Sequence, residues 1–382
     1  MYAAFRLSLR RELAFLRRSP WDFGLIVWGP LAVIVLLAWM FLAGVPRQLP
    51  VAVVDEDGSA LSRQVLRNLA ATPSLDVVAR PAHLGEGFAL MRATKVWAVI
   101  HIPAGAQARL LHGQGAGIGN FYNESFYSIG GAIASGVNGA VNAALGQFLL
   151  ESAHKRGLPA VRVEGPGLKI TPLYNPQTSY ELFLEPIAVT AILHLLLACA
   201  VAAAVGRELR DGTLGEWRAC GADALALLLG KLTPYVLIFC LWTLVWLGWM
   251  DGVRGWKIQG SLPCLLFGQF LLYAAYATIS SLVALKAREL ATALSVIAIY
   301  AGSSISFADV TLPVIGAPLF TRIWSQIIPF TAYARLQMEQ FVIGSPVSAS
   351  LGHLLVLCIF TLLPLLLAAR LLRREWQKAG AT

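Results

Sequence analysis

The sequence predicts an α-helical polytopic membrane protein with six transmembrane helices and an α/β extracytoplasmic domain inserted after the first span. The chain has 382 residues, of which 57% are hydrophobic and only 13% are charged. Soluble domains carry about 25% charged residues, so this composition indicates a membrane protein. The apolar residues form separate runs of the length that a spanning helix needs, about 20 residues. Strand-like and helix-like patterns alternate in the long segment after the first run.

Each predicted span is an apolar run with few charges. The first run lacks a small-residue cleavage site, so we expect a retained helix, with cleavage as a signal peptide as the alternative. The fifth run is diluted by Ser and Gly but is still apolar enough to count. The predicted spans are 23–44, 184–205, 232–250, 262–285, 290–307 and 351–370.

The distribution of Lys and Arg beside these spans predicts their orientation. With the N-terminus inside, the inner segments hold 15 Lys and Arg residues and the short outer loops hold 4. Cytoplasmic loops carry the excess of basic residues, so we expect both termini in the cytoplasm. Segments 1–22 and 206–231 and the tail 371–382 are then cytoplasmic, and segment 45–183 lies outside. The same distribution explains the net charge of +9 without a nucleic-acid partner.

The external segment 45–183 predicts a compact α/β domain. "LPVAVVDED", "LDVVAR" and "VWAVIHIP" are typical of strands, with helices between them and a closing strand in "AVRVEGPGLKI". Ser59 is a candidate N-cap for the first of these helices. The acids from Asp55 to Asp57 favour a polar turn over a calcium loop, because the remaining ligand spacing is absent. We therefore expect no metal site in the chain, and the scattered histidines of this segment form no ligand set.

The segment before the first span, 1–22, predicts an amphipathic helix. Phe5, Leu9, Leu13 and Leu16 lie on one helical stripe, and several arginines lie off it. Such a helix suits the inner leaflet or a partner protein. The alternative is that its arginines only anchor the chain by the positive-inside rule.

The cytoplasmic stretch "GRELRDGTLGEWRACG" is far more charged than a turn between two spans requires. The chain has no G-x-x-x-x-G-K-[ST] loop, because Gly230-Lys231 lacks the upstream glycine spacing and the following Ser or Thr. It also lacks the nucleophile elbow and the H-E-x-x-H zinc motif. We therefore predict no enzyme activity and no cofactor in this chain. If its function requires energy, we expect a separate protein chain to supply it.

Residues 308–350 are apolar but are interrupted by Pro313, Pro318 and Pro329. Two short helices dipping into the membrane from outside would fit, with an interfacial loop as the alternative. His194 and Ser303 are candidates for the lining of a translocation path, although His194 is equally suited to a hydrogen bond between helices. Glu181 and Glu185 are expected to be solvated at the outer end of the second span.

Five motifs in order resemble the permease subunits of type-2 ABC transporters, especially bacterial exporters with a large external domain. "RELRDGTLGEW" is similar to the cytoplasmic signature of that family, and "LLLGKLTPY" resembles the start of the next span. The other three, "VVDEDGSALSRQ", "YNPQTSYELFLEP" and "IIPFTAYARLQMEQFVIGSP", resemble the external domain, the approach to the second span and the re-entrant segment. Each motif is modest, but their order along most of the chain is specific.

The resemblance implies a subunit of an ATP-driven exporter in the bacterial inner membrane, of the kind that includes multidrug efflux systems. It implies two ATPase subunits that hold ATP and Mg²⁺, a second permease copy or paralogue, and, where an outer membrane exists, a periplasmic adaptor. The N-terminal helix and the loop at 207–218 would dock on the ATPases. The coupling residues carried over are Arg207, Glu208, Gly212, Thr213, Leu214, Glu216 and Trp217.

Two departures from the family pattern mark this loop. Gly215 stands where the family usually has an acid, and "ACGA" follows where Thr-Pro is usual. We therefore hypothesise that this chain is one half of a heterodimer. The alternative function is a membrane sensor or scaffold whose external domain binds a ligand or an envelope partner. A secondary transporter is disfavoured because internal repeats are absent, and the substrate is not predicted.

Overall fold

The computed structural model of the protein describes residues 1–42, 47–123, 127–155, 174–175, 179–310 and 313–379. These residues belong to two compact units. One unit joins Met1–Leu42 to Glu181–Thr382, and the other is Ala43–Tyr180. The predicted closing strand at 160–170 lies outside the described residues.

The chain begins with helices whose boundaries follow from Ser19 and Pro20. Ser19 has an extended backbone and accepts a hydrogen bond from the Asp22 amide at 3.4 Å, which caps the second helix. Pro20 occupies the first helical position, where its missing N–H costs nothing. The elements here are α1 (Tyr2–Arg18), α2 (Pro20–Phe23), a π-helical turn (Gly24–Trp28) and α3 (Gly29–Met40).

The second unit is built on a four-stranded sheet with the order β2-β1-β3-β4. Strand β1 is parallel to β2 and to β3, and β4 is antiparallel to β3. The elements in chain order are β1 (Leu49–Asp55), α4 (Ala60–Ala70), β2 (Leu75–Ala79), α5 (Leu84–Arg92), β3 (Ala98–Ile102), α6 (Ala106–Leu111), β4 (Gly119–Tyr122) and α7 (Tyr127–Lys155).

The two faces of this sheet bury different side chains, because strand residues alternate with a period of two. Val51 and Val53 pack with α4 and α7, whereas Ala52 and Val54 pack with α5. The predicted cap at Ser59 is confirmed, since its hydroxyl accepts from the Ser62 amide at 3.2 Å. The short elements α6 and β4 were not predicted.

The acidic turn after β1 is held by its own hydrogen bonds, as the turn interpretation predicted. Asp55 Oδ1 accepts from the amides of Asp57 and Gly58 at 3.1 and 3.0 Å. Asp57 Oδ2 accepts from the Gln107 amide at 3.2 Å, which links the turn to α6. These carboxylates therefore serve the strand-to-helix connection.

The rest of the first unit is a set of long helices with short ones between them. The long helices are α8 (Tyr180–Arg210), α10 (Ala224–Gly248), α11 (Leu262–Ala287), α12 (Leu290–Gly302) and α15 (Val347–Ala379). The short ones are α9 (Leu214–Ala219), α13 (Leu319–Ile327) and α14 (Pro329–Gln337), with π-helical turns at Trp249–Val253 and Met338–Ile343 and a 3-10 turn at Ser304–Phe307.

Among the described residues, seven helical segments are long and apolar enough to cross a membrane, one more than the six predicted spans. The additional segment, Ile129–Lys155, belongs to α7. Ile133 and Val137 of this helix are buried in the core of the α/β unit. One face of this apolar helix therefore packs into the core of its own unit.

Two helices extend beyond the predicted spans in a way that matters for the site. Helix α10 begins at Ala224, eight residues before the span predicted from residue 232, and so Lys231 is inside a helix. Helix α8 continues to Arg210, beyond the predicted end at 205. Both extensions occur because charged residues that looked like loop positions have partners in the fold.

Candidate functional site

The charged stretch between α8 and α10 is a compact turn that contains α9. Gly212 has φ +69°, a left-handed conformation that favours glycine, and it reverses the chain after α8. Asp223 caps α10, since its Oδ1 accepts from the amides of Leu225 and Ala226 at 3.1 and 3.4 Å. The stretch is therefore an ordered turn, closed at both ends by local backbone chemistry.

Lys231 lies at the centre of a set of ion pairs that joins this turn to α1. Its Nζ is 2.5 Å from Glu12 Oε2 and 2.8 Å from Glu208 Oε1. Arg11 binds Glu208 at 2.7 Å, and Arg207 binds Glu12 at 2.9 Å. Lys231 is 1% exposed and Glu12 is 2% exposed, so these charges face each other away from water.

Asp22 completes the set, with its Oδ1 3.3 Å from Arg207. We call the six residues Arg11, Glu12, Asp22, Arg207, Glu208 and Lys231 the ion cluster. Two neutral hydroxyls add to it: Tyr235 donates to Glu12 Oε1 at 2.7 Å and Thr213 donates to Glu208 Oε2 at 2.5 Å. Both oxygens of each buried glutamate therefore have partners, which is the condition under which buried charges are tolerated.

Arg11 illustrates how the cluster keeps its charges. Burial by itself disfavours a charged guanidinium, but the hydrogen bonds and the negative charge of Glu208 outweigh that effect. The pKa of Arg11 consequently lies above its ordinary value. The guanidinium of Arg207 also lies 3.3 Å from the centre of the Phe15 ring, which adds a cation–π contact.

Helix α1 packs directly against α10 beside the cluster. A Cβ at Gly230 would lie 2.4 Å from the Phe5 carbonyl oxygen and 2.9 Å from the Ser8 Cβ. Ser8 donates to the Leu227 carbonyl at 2.8 Å and accepts from Trp217 Nε1 at 3.0 Å. The backbones of α1 and α10 are therefore in close contact at this point, and Trp217 of α9 is hydrogen-bonded to Ser8 in the same contact.

These contacts divide the predicted coupling residues into two groups. Arg207, Glu208 and Trp217 are buried inside the chain, so the indole of Trp217 packs within its own fold. Gly212 and Glu216 are exposed, and Thr213 and Leu214 are half-buried. The exposed residues lie on the surface of the turn, and the buried residues form its interior.

The predicted docking stripe of α1 does not coincide with its buried face. The face that packs inside the chain consists of Ala4, Ser8, Glu12 and Leu16. Leu13 is exposed, while Phe5 and Leu9 are half-buried. Leu16 belongs to both the predicted stripe and the buried face. The prediction ranked positions by hydrophobicity, so it did not include Ser8 and Glu12, whose polar side chains have partners on α8, α9 and α10.

Sequence reasoning also missed Glu12, Lys231 and Tyr235 as site residues. Two signals were present: Glu12 is the one acid in α1, which is rich in arginine, and Lys231 interrupts an otherwise apolar run. A charge that is isolated in such a context needs a partner, because an unpaired buried charge is costly.

His194 and Ser303 are held by neighbouring helices. His194 is fully buried; its ring nitrogens lie 2.9 Å from the Thr190 carbonyl and 3.3 Å from the Ala301 carbonyl. Ser303 accepts from Trp324 Nε1 at 3.0 Å. Among the prolines of the predicted re-entrant segment, Pro318 precedes α13 and Pro329 begins α14, and Pro313 lies in the connection before them.

Glu181 and Glu185 are buried, and the expectation that they would be solvated is wrong. Glu181 binds Arg254, with Nη2 to Oε2 at 2.8 Å, and accepts from Trp256 Nε1 at 3.0 Å. Glu185 accepts from Trp246 Nε1 at 3.2 Å. The partners come from the end of α10 and the connection after it, which local sequence reasoning did not consider.

The fold and the charged cluster define a helical multi-pass membrane protein, in which ordered charges hold an N-terminal helix against the connection between two long apolar helices. In a comparison with family models, residues 21–370 match the ABC-2 family transporter protein. The chain belongs to this family, as a permease subunit of an ABC transporter. Neither the search of curated proteins nor the search of solved structures found a match.

Proposed function

We propose that the chain is the permease subunit of an ATP-driven exporter and that the exposed turn at 210–216 receives the movement of separate ATPase subunits. The proposal includes six spans, both termini in the cytoplasm and an external domain between the first two spans. Family membership supports the permease role. The feature that carries the coupling proposal is the ion cluster, which ties the turn to α1 and α10.

The cluster suits this role because it makes three elements move as one. Arg11 and Glu12 belong to α1, Arg207 and Glu208 end α8, and Lys231 lies in α10. Buried, fully paired charges resist separation, since each would be left uncompensated in a poorly solvated place. A displacement of the turn would therefore carry α1 and the start of α10 with it.

The surface that the turn offers has both charge and a cleft. Beside this turn lies a cleft of about 330 Å³. It is lined by Arg18, Asp211 and Glu216 together with members of the ion cluster. The Glu216 side chain is 73% exposed and lies 3.5 Å from Arg11. A polar side chain of a soluble partner could reach this cleft and pair there.

Co-purification tests the proposal. The tagged chain, extracted in a mild detergent from its own cells, should bring an ATPase subunit with it. Gly215→Trp should reduce the recovered ATPase at least tenfold, because the indole would cover the exposed turn while a Cβ at Gly215 meets no atom within 4 Å. Gly252→Trp is the matched control, since its Cβ also meets nothing within 4 Å and residue 252 lies in the predicted outer connection.

The two substitutions separate docking from folding. Both variants should keep the melting temperature of the parent chain, and only the first should lose the ATPase. Recovery of the ATPase at the parent level with Gly215→Trp would exclude the turn as the docking surface. Recovery of no ATPase from the parent chain would contradict the coupling proposal.

A further inference from the structure

An apolar cavity of about 560 Å³ lies between α11, α12, α13 and α15. Its lining includes Tyr300, Trp324, Phe360 and Leu363. Tyr300 and Trp324 each carry a polar donor, and both donors already have an acceptor within the protein. The Tyr300 hydroxyl donates to the Ile327 carbonyl at 2.6 Å, and Trp324 Nε1 donates to the Ser303 hydroxyl at 3.0 Å. The cavity therefore presents hydrocarbon and ring surfaces to whatever fills it.

A second cavity, of about 390 Å³, lies where α13, α14 and the start of α15 meet. Its ionisable lining residues are Arg322, Arg335 and His353, and its lining includes no carboxylate. Arg335 pairs with Asp309, and His353 lies 3.2 Å from Glu339. Among the described residues, the exposed guanidinium of Arg322 has no ion-pair partner, so one positive charge at this cavity is uncompensated.

The two cavities are neighbours along one stripe of α15. His353 and Val356 line the polar cavity, and Phe360 and Leu363 line the apolar one. Steps of three or four residues keep these side chains on the same helix face. The centres of the two groups are about seven residues apart, which at 1.5 Å per residue is roughly 10 Å.

Helix α13 contributes to both cavities from the other side. Arg322 and Ser325 line the polar cavity, whereas Trp324 and Ile327 line the apolar one. These two pairs are offset by two residues and so lie on opposite sides of α13. A ligand that contacts both cavities therefore extends along α15 past α13, from a cationic region to a hydrocarbon region about two helical turns away. Both volumes fall in the range of about 300–1,000 Å³ that is usual for ligand sites.

We propose that the two cavities form one binding site for an anionic amphiphile. Its phosphate or carboxylate head lies in the polar cavity against Arg322, and its apolar chain lies in the apolar cavity against Trp324 and Leu363. A guanidinium is suited to the head group, because its planar donors match the oxygens of a phosphate or a carboxylate. The proposal concerns binding and does not depend on ATP coupling.

The test is a binding measurement on the full chain in nanodiscs of phosphatidylcholine. The probes are dodecyl phosphate, dodecanol and inorganic phosphate. Dodecyl phosphate should bind at least tenfold more tightly than either of the others, because only it fills both cavities. A tenfold difference in affinity corresponds to about 1.4 kcal/mol.

Paired variants locate the site. Arg322→Gln should weaken dodecyl phosphate about tenfold and leave dodecanol unchanged, whereas Arg374→Gln, an exposed arginine near the other end of α15, should change neither. Leu363→Trp should weaken both amphiphiles by filling the apolar cavity. Leu362→Trp is its control, since both leucines are 57% exposed and only Leu363 lines the cavity.

Three results would overturn the proposal. Equal affinity for dodecyl phosphate and dodecanol, unchanged by Arg322→Gln, would mean that the apolar cavity binds alkyl chains whether or not they carry a charged head group. Tight binding of inorganic phosphate would assign the polar cavity to a free anion. If Leu363→Trp dissociated a dimer in light scattering and left amphiphile binding unchanged, a second copy of the chain would be the occupant.

Discussion

Lys231 places an ammonium group between two buried carboxylates, and its removal gives the strongest prediction for a single side chain. Lys231→Met keeps most of the volume but leaves Glu12 and Glu208 facing each other without the shared cation. Breaking a buried pair in this way costs about 3–5 kcal/mol. We expect a clear fall in the melting temperature of the detergent-purified chain, as measured by circular dichroism.

Lys257→Met is the matched control for this measurement. Lys257 also forms an ion pair, 3.1 Å from Asp251, but its side chain is 67% exposed. Exposed pairs contribute about 0–1 kcal/mol, so the melting temperature should hardly change. Adding Glu12→Gln to Lys231→Met should recover part of the loss, since it removes the negative charge that the cluster has in excess once Lys231 is gone. Equal effects of the two lysine substitutions would show that the cluster does not stabilise the fold.

The same residues show where sequence reasoning stopped. The motif around Arg207 and Glu208 was recognisable, but its burial was not, because the partners Glu12 and Lys231 are distant in the chain. A prediction from hydrophobicity places charged residues at the surface, and this placement is correct for most charged residues. It fails where several charges of opposite sign satisfy one another, which only the three-dimensional arrangement reveals.

The contact between α1 and α10 depends on the absence of a side chain at Gly230. Gly230→Ala puts a Cβ 2.4 Å from the Phe5 carbonyl oxygen, so α1 has to move away. Gly248→Ala lies in the same helix, and its Cβ meets nothing within 4 Å. Alanine is the better helix former by about 1 kcal/mol, so the control should be neutral or stabilising.

Limited trypsin digestion of inverted membrane vesicles measures this displacement. The arginines of α1 should be cut faster in Gly230→Ala than in the parent chain, by about tenfold, and at the parent rate in Gly248→Ala. Unchanged cutting in both variants would mean that α1 is not held by its contact with α10.

Long, strongly patterned elements were predictable, and short or mixed ones were not. The helix α4 with its Ser59 cap and the strands β1, β2 and β3 follow from local pattern. Helix α6 has only six residues and β4 only four, so neither develops a readable periodicity. Helix α10 begins eight residues before the predicted span, because Asp223 caps it and Lys231, which hydropathy treats as a loop residue, lies inside it.

The orientation of the whole chain is testable with cysteine labelling. In a variant whose five native cysteines are serine, Gln114→Cys should react with a membrane-impermeant maleimide that is added outside the cell. Ala219→Cys should react only after the membrane is opened. Both residues are exposed on the fold, so a difference in labelling reports the side of the membrane and not burial. Labelling of Ala219→Cys from outside would reverse the proposed topology.

The charge balance of the ion cluster has an electrical consequence. Three of its members are cationic (Arg11, Arg207, Lys231) and three are anionic (Glu12, Asp22, Glu208), so the cluster carries no net charge. Moving one elementary charge through a membrane potential of 100 mV involves about 2.3 kcal/mol. A neutral group that shifts as a unit does no such work, so its displacement would be indifferent to the voltage of the membrane beside it.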